Sequence, residues 1–379
     1  MNVRLAALAL ALSALAPRFS QAHHSTAVFV LDKPIEIRGV VSDFKLRSPH
    51  SSFVVEGRVF ADGRAAGPVE RWELEWEALP PLRTLGVDAA TFKAGDAITV
   101  VASPHRDPAF KFAHAQVVTA ANGSVYGFDR SDRIYSPSLV KALGDATGKT
   151  VGAPPTAITA PAATGIARLA GRWQQPVMPP GKESPLALNE AGLAARRGYD
   201  RKLSPANTCE SMAVPDVFMA PFYLFELRIS GESVMLHNEA YDIRRTVPLG
   251  GTAARVDERG QHGTATARVD GDALVVESRG FPASKWGLGA EVQLLGAGAD
   301  VPSSERKTLT ERFTAGSDGR TLVYEFTLDD PGYVSKPYSG RVELTRVPDM
   351  AQMYPYECDP ESAAMWSRDA KDKPLRVGQ

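Results

Sequence analysis

Asp270-Gly271 lies between two alternating apolar runs, Thr264 to Val269 and Ala273 to Ser278. An Asp-Gly pair supplies the left-handed backbone of a tight two-residue hairpin, whose twist matches the strands it joins. A chain built on this unit pairs its strands with near neighbours. The same grammar recurs on both sides. Leu224 to Ile229 and Val234 to Glu239 flank Ser230-Gly231-Glu232, and Tyr241 to Val247 continues the meander. Thr308 to Thr314 and Thr321 to Leu328 flank Ser317-Asp318-Gly319, and Arg341 to Arg346 closes the series.

Seven or eight antiparallel strands of this kind predict a mostly β domain over residues 166–366, a larger lipocalin-like barrel or curled sheet whose mouth would hold a small ligand. It opens with Leu169 to Trp173 and includes a helix over Leu188 to Tyr199. Residues 367–379 form a polar tail. Upstream, Val151 to Gly165 is rich in Ala, Pro, Thr and Gly, so residues 129–165 are expected to be a semi-extended linker.

Residues 23–128 are expected to form a first domain. Ile35, Ile37, Val41, Phe53 and Val55 alternate with polar residues, and Trp72, Leu74 and Trp76 point opposite to Arg71, Glu73 and Glu75. Pro80-Pro81 opens a short helical segment between Leu82 and Phe92, followed by strands over Ala97 to Ala102 and Phe112 to Val118. About five short strands with a helix after the third predict a small OB-like barrel. Such barrels host many functions, and the fold alone names none.

Residues 1–22 have the parts of a secretory signal: Arg4, an apolar run from Leu5 to Ala16, and small residues in Ser20-Gln21-Ala22. The run is too short to span a bilayer, and no other stretch predicts a membrane span. The mature protein is therefore expected to be periplasmic or secreted. Losing Arg4 and Arg18 leaves 41 basic against 44 acidic residues, a net charge of −3. Near-neutral charge without a basic tract argues against nucleic acid as a partner.

Cleavage after Ala22 would make His23 the first residue. Its α-amine and imidazole can close one chelate ring, and His24 adds a second imidazole. Nitrogen ligands of this kind suit copper best among divalent metals. His50, after Pro49 at a strand entrance, is the candidate third ligand; His105 and His114 are expected on the surface or as caps. The bland alternative is a polar terminus left by the cleavage rule. Cys209 and Cys358 are the only cysteines. In an oxidising compartment they are expected to form one disulfide, with two separate thiols as the alternative.

The chain has no nucleophile elbow, phosphate loop, Rossmann fingerprint or zinc-protease motif. What remains is a polar set on the second-domain strands: Glu226, His237, Glu239, Tyr241, Arg244, Arg245, His262, Glu277, Glu311 and Glu325. Alternation places His237, Glu239 and Tyr241 on one strand face; with Arg245 they are the candidate ligand site. Facing inward, they would bind an anion or do acid–base work. Facing outward, the commoner case, they would be a solvated face.

The opening His23-His24-Ser25, the strand from Pro34 through Gly39-Val40-Val41, Ser48-Pro49-His50 and Gly95-Asp96 resemble a domain of unknown function found in secreted bacterial proteins. Its members open His-His-Ser after the signal and carry Asn-Pro-His; here Ser48 replaces the Asn. The second half resembles a domain often attached to it, through Gly171-x-Trp173, Cys209-Glu210, Gly271 to Glu277, Glu311-Arg312-Phe313, Asp318 to Leu322 and Tyr356-x-Cys358. The resemblance implies an extracytoplasmic two-domain β protein and supplies no reaction. The expected function is an exported binding or accessory protein, with copper at the N-terminus and a small ligand in the second barrel. The alternatives are a periplasmic enzyme, using a metal at His23 or acid–base residues in the second barrel, and a structural protein without a small-molecule site.

Overall fold

The structure, a computed structural model, describes residues 29–31, 33–48, 50–127, 163–175, 186–199, 205–220, 223–288, 300–348 and 351–358. The expected export signal, His23, His24 and most of the expected linker and tail lie outside them. Among the described residues no helix is long and apolar enough to cross a membrane.

The first sheet runs β1 (Ile35–Lys45), β2 (Ser52–Ala61), β3 (Arg64–Ala65), β4 (Glu70–Glu75), then helix α1 (Leu79–Thr84), β5 (Ala97–Pro104), β6 (Phe112–Ala120) and β7 (Val125–Gly127). Five strands close on themselves: β1 pairs with β2 and β5, β2 with β4, β5 with β6, and β6 with β4 in parallel. This is the small barrel the strand pattern predicts, with its helix after the third long strand. Its tight curvature has a local cause. Gly39 faces Gly57 across β1 and β2, and a Cβ at Gly39 would meet the Glu56 carbonyl at 2.5 Å. Trp72, Leu74 and Trp76 point inward onto Ile37, Phe53, Val100 and Ala113. Helix α1, begun by prolines whose missing N–H groups would have no partner in a first turn, buries Leu79 and Leu82.

The second sheet contains β8 (Gly171–Gln174), β9 (Leu224–Ser230), β10 (Ser233–Asn238), β11 (Ile243–Pro248), β12 (Ala254–Arg255), β13 (Thr264–Asp270), β14 (Ala273–Arg279), β15 (Thr308–Ala315), β16 (Thr321–Asp329) and β17 (Tyr338–Val347). Their order is β11-β10-β9-β8-β17-β16-β15-β14-β13-β12. The two ends of this sheet meet where the Thr246 N–H donates to the Val256 carbonyl (2.8 Å) and Leu249 bridges Ala267, giving a nearly closed ten-stranded barrel. The three expected hairpins are present, with Gly231, Gly271 and Gly319 at positive φ. The count exceeds the expected seven or eight because β8 enters between β9 and β17, and because β12 is only two residues long. Helix α2 (Glu190–Gly198) is capped by Asn189, whose side chain accepts from the Gly192 N–H at 3.0 Å.

One correction concerns the β10–β11 connection. Glu239 and Tyr241 are not on a strand: β10 ends at Asn238, and a 3₁₀ turn carries the chain through Tyr241 (φ 58°) and Asp242 (φ 49°). The period-two rule therefore stops before it reaches them, and they do not share a face with His237.

The second barrel is filled by side chains. Trp173, Phe225, Phe313 and Tyr324 occupy its interior. A non-strand segment, residues 205–220, adds Val214, Val217 and Phe218 to that core, with the Phe218 ring stacked 3.9 Å from Tyr324. Cys209, at the start of this segment, is disulfide-bonded to Cys358.

Candidate functional site

Strand register puts the β8–β9, β10–β11, β14–β15 and β16–β17 connections at one end of the second barrel. Toward that end the interior turns polar. Arg245, from β11, donates to both oxygens of Glu311 on β15, at 2.5 and 2.9 Å, and the Tyr324 hydroxyl donates to Glu311 at 3.0 Å. Burial and the adjacent Glu311 carboxylate push the Tyr324 phenol well above its ordinary range. Asp257 accepts from the His262 backbone N–H (2.8 Å) and lies 3.1 Å from its Nδ1. Burial opposes ionisation of Asp257, but the His262 contacts outweigh it and hold the carboxyl well below the usual range. Burial, helped by Arg245, lowers the His262 pKa, so its imidazole is neutral near pH 7.

Lys307 continues the inward face of β15. Its ammonium is buried 4.3 Å from the Phe281 ring centroid and 3.4 Å from the Val214 carbonyl. Burial pulls its pKa down to about 8, against the opposing pull of Asp216, Asp330 and Glu311. Asp330 is itself held by the N–H and hydroxyl of Ser304 and the N–H of Gly332. These charged groups thus have opposite charges near them within the protein, although Arg245 Nε is buried without a hydrogen bond.

Several neutral groups also have buried atoms left unpaired. Both side-chain atoms of Asn238, Oδ1 and Nδ2, are buried without a hydrogen bond in the protein, as are Ser278 Oγ and His262 Nε2. Buried polar atoms are nearly always paired, by protein, water or ligand, so each of these exceptions is a candidate contact for a water or a polar guest. The segment over this end is held by three kinds of contact: the disulfide, a hydrogen bond from Trp286 Nε1 to the Glu210 carbonyl (2.9 Å), and a Lys285–Glu210 ion pair (2.9 Å).

The structure sends the four expected ligand residues to four places. Arg245 lies in the interior cluster. Glu239 sits where the two barrels meet: its carboxylate accepts from Arg83 of α1 and from the N–H groups of Leu224 and Tyr354. Tyr241 stacks on Tyr356 at 4.4 Å and edges onto Trp286, and burial raises its pKa. His237 is on the outer face of β10, with Nε2 2.7 Å from Asp242. Burial and Arg244 lower its pKa. Sequence reasoning had His262 and Glu311 in its wider polar set but missed Asn238, Ser278, Tyr324 and Lys307. The available signal was parity: Lys307 and Glu311 occupy the positions that Leu309 and Phe313 share.

In the first barrel, His50 pairs through Nδ1 with the buried Glu75 carboxylate. Burial opposes its charge, but Glu75 and Glu77 outweigh burial and raise its pKa. His114 Nδ1 lies 3.3 Å from the Glu75 carbonyl, so its ring is buried rather than on the surface. Phe29 is fully buried, bridges His105 and lies 5.6 Å from the His114 ring. Among the described residues, no group of three His, Cys, Asp or Glu side chains is arranged to hold a metal. His23 and His24 fall outside those residues.

Among curated proteins none matches the chain. A family of unknown function, DUF6152, matches residues 11–111, which take in β1 to β5 of the first barrel, stop just before β6, and include none of the second barrel.

Proposed function

We propose that this chain is an exported binding protein that holds a small, uncharged polar molecule at the capped end of its second barrel. The observation that carries this is the Asn238 side-chain amide, fully buried with neither atom hydrogen-bonded in the protein. With Ser278 Oγ and His262 Nε2 it offers donors and acceptors to a guest. The neighbouring charges already face one another, so a charged guest would enter without a counter-charge, which is costly in a dry interior. Export is supported by the Cys209–Cys358 disulfide, since such bonds persist in oxidising compartments.

Native mass spectrometry of the protein, purified from an exporting host without dialysis, tests this reading. A discrete excess mass that leaves on denaturation, and is absent from Asn238→Leu, is expected. If the wild type carries no excess mass, and Asn238→Leu is merely more stable by about 1–3 kcal/mol through loss of an unpaired buried amide, the reading fails.

Copper at the N-terminus is a second reading, favoured by the position of Phe29. Six residues after His23, Phe29 is fixed beside His105 and His114, and six residues reach at most about 20 Å. Chain reach thus supports the reading: a terminus at His23 would be within range of the end of the first barrel that carries His50 and Glu75. Metal content and N-terminal sequencing, on protein purified without chelator, decide it. Near-stoichiometric copper, lost in His23→Ala, supports the reading. A chain that begins at His23 yet holds no metal, with no thermal shift on adding Cu(II), rules it out.

A further inference from the structure

On the outside of the second barrel, four ionisable residues stand in one row across four strands. Arg172 on β8 is paired in register with Glu226 on β9, Glu226 with His237 on β10, and His237 with Arg244 on β11. In the next row Arg228 is paired with Met235. Strands lie about 4.8 Å apart, so Arg228 and Arg244 are roughly 12 Å apart at Cα, close enough for their long side chains to converge over Met235 and His237. This row floors an open groove of about 520 Å³, walled on one side by Gln352 and Met353. The wall is pinned by donation from Arg172 to the Ala351 carbonyl (2.5 Å) and from Arg83 to the Gln352 carbonyl (3.2 Å). Past Arg228 the groove continues over Ala170 and Ile229.

The two carboxylates here are already engaged. Glu226 accepts from Arg172 (2.8 Å) and Arg228 (3.0 Å), which hold its carboxyl below the ordinary range although burial opposes this. Asp242 contacts His237 (2.7 Å) and Arg244 (3.0 Å). Three guanidinium groups against two carboxylates leave one positive charge in excess. Arg228 and Arg244 remain more than half exposed, at 62% and 65% of their side-chain surface. Each shows only one donor group bonded to a carboxylate, and the guanidinium fork suits a second carboxylate. Met235 and Met353 offer soft apolar contact beside that charge.

We infer that this groove binds a small organic monocarboxylate, its carboxylate received by Arg228 and Arg244 and its apolar body laid along Met235 and Met353. The inference is independent of the interior site, because the groove lies on the opposite side of the sheet. A purely structural ion-pair row would show no preference among solutes. Titration calorimetry on the full chain, with 4-phenylbutyrate, 4-phenylbutyramide and inorganic phosphate as probes, separates the two. The carboxylate should bind at least tenfold tighter than its neutral amide and tighter than phosphate. It should weaken at least tenfold in the Arg228→Gln/Arg244→Gln double variant and lose affinity as salt is raised. Asn238→Leu should leave it unchanged. The inference is overturned if the carboxylate and amide bind alike, if phosphate binds as well as the carboxylate, or if wild type binds neither organic probe. It is also overturned if the double variant, with unaltered melting temperature, binds as wild type does.

Discussion

Arg83 in the first barrel and Glu239 in the second, 156 positions apart, meet fork to fork, with Nη2–Oε1 at 2.5 Å and Nη1–Oε2 at 3.1 Å. The Leu224 and Tyr354 N–H groups complete the ring of donors around the carboxylate. Removing one partner strands the other in a partly dry junction. Arg83→Ala is expected to cost about 3 kcal/mol, and calorimetry should show one melting transition of wild type splitting into two as the barrels uncouple.

The interior Arg245–Glu311 pair is fully buried on both sides. Arg245→Met or Glu311→Leu alone should each destabilise by about 3–5 kcal/mol, because each leaves an uncompensated charge. The double variant should recover most of that loss, since two apolar side chains of similar size need no solvation. Urea unfolding of the three proteins checks the cycle.

Two histidines give opposite pH dependences. His50 has its pKa raised from 6.5 in the fold, so its stabilising contribution is complete below that value and is lost as pH rises through the folded pKa. His262 has its pKa lowered from 6.5, so the unfolded chain takes up a proton that the fold refuses, and stability falls as pH drops below 6.5. Relative to wild type, His50→Gln should therefore be more damaging at pH 5.5 than at pH 8. His262→Gln should be less damaging at pH 5.5. Melting temperatures at the two pH values decide both.

Phe218 fills the barrel end between Tyr324 (3.9 Å), Phe225 (4.9 Å) and Phe313 (6.0 Å). Phe218→Ala should cost about 3–5 kcal/mol, the usual loss for emptying a large aromatic site. Denaturant midpoints measure it.

Reduction should loosen the segment that carries Phe218. The disulfide joins positions 149 residues apart, and closing so long a loop is worth on the order of 4–5 kcal/mol in the chain-entropy model. Cys209→Ser/Cys358→Ser should show that loss in urea, and a reducing agent should then change nothing further.

Local patterning was enough to read the two barrels. Gly271 and Gly319 mark their hairpins through positive φ, although the first two-residue loop is Gly271-Asp272, with Asp270 paired to Ala273 in the ladder; the Trp72-Leu74-Trp76 alternation places its inward face correctly. The candidate site was less legible, because it depends on what happens between strands. Nothing local says that the chain leaves β10 at Asn238, so simple alternation puts Glu239 and Tyr241 on a face they do not occupy. Arg244 and Arg245 are adjacent and chemically alike, yet one faces solvent and the other Glu311; only the register with β10 and the distant β15 decides which. The row from Arg172 to Arg244 draws on four strands, two of them separated by nearly 50 residues of sequence, so no window along the chain contains it.

The bond between Cys209 and Cys358 also orders events in time. Strands β9 through β17 all lie between the two cysteines, so a ribosome must finish nearly the whole second barrel before the later sulfur exists. A chain that stops early anywhere in that stretch leaves Cys209 as a lone thiol. Oxidation of this pair therefore certifies a chain made through the last strand of the second barrel, and a free Cys209 is a chemical label on those that stop short of Cys358.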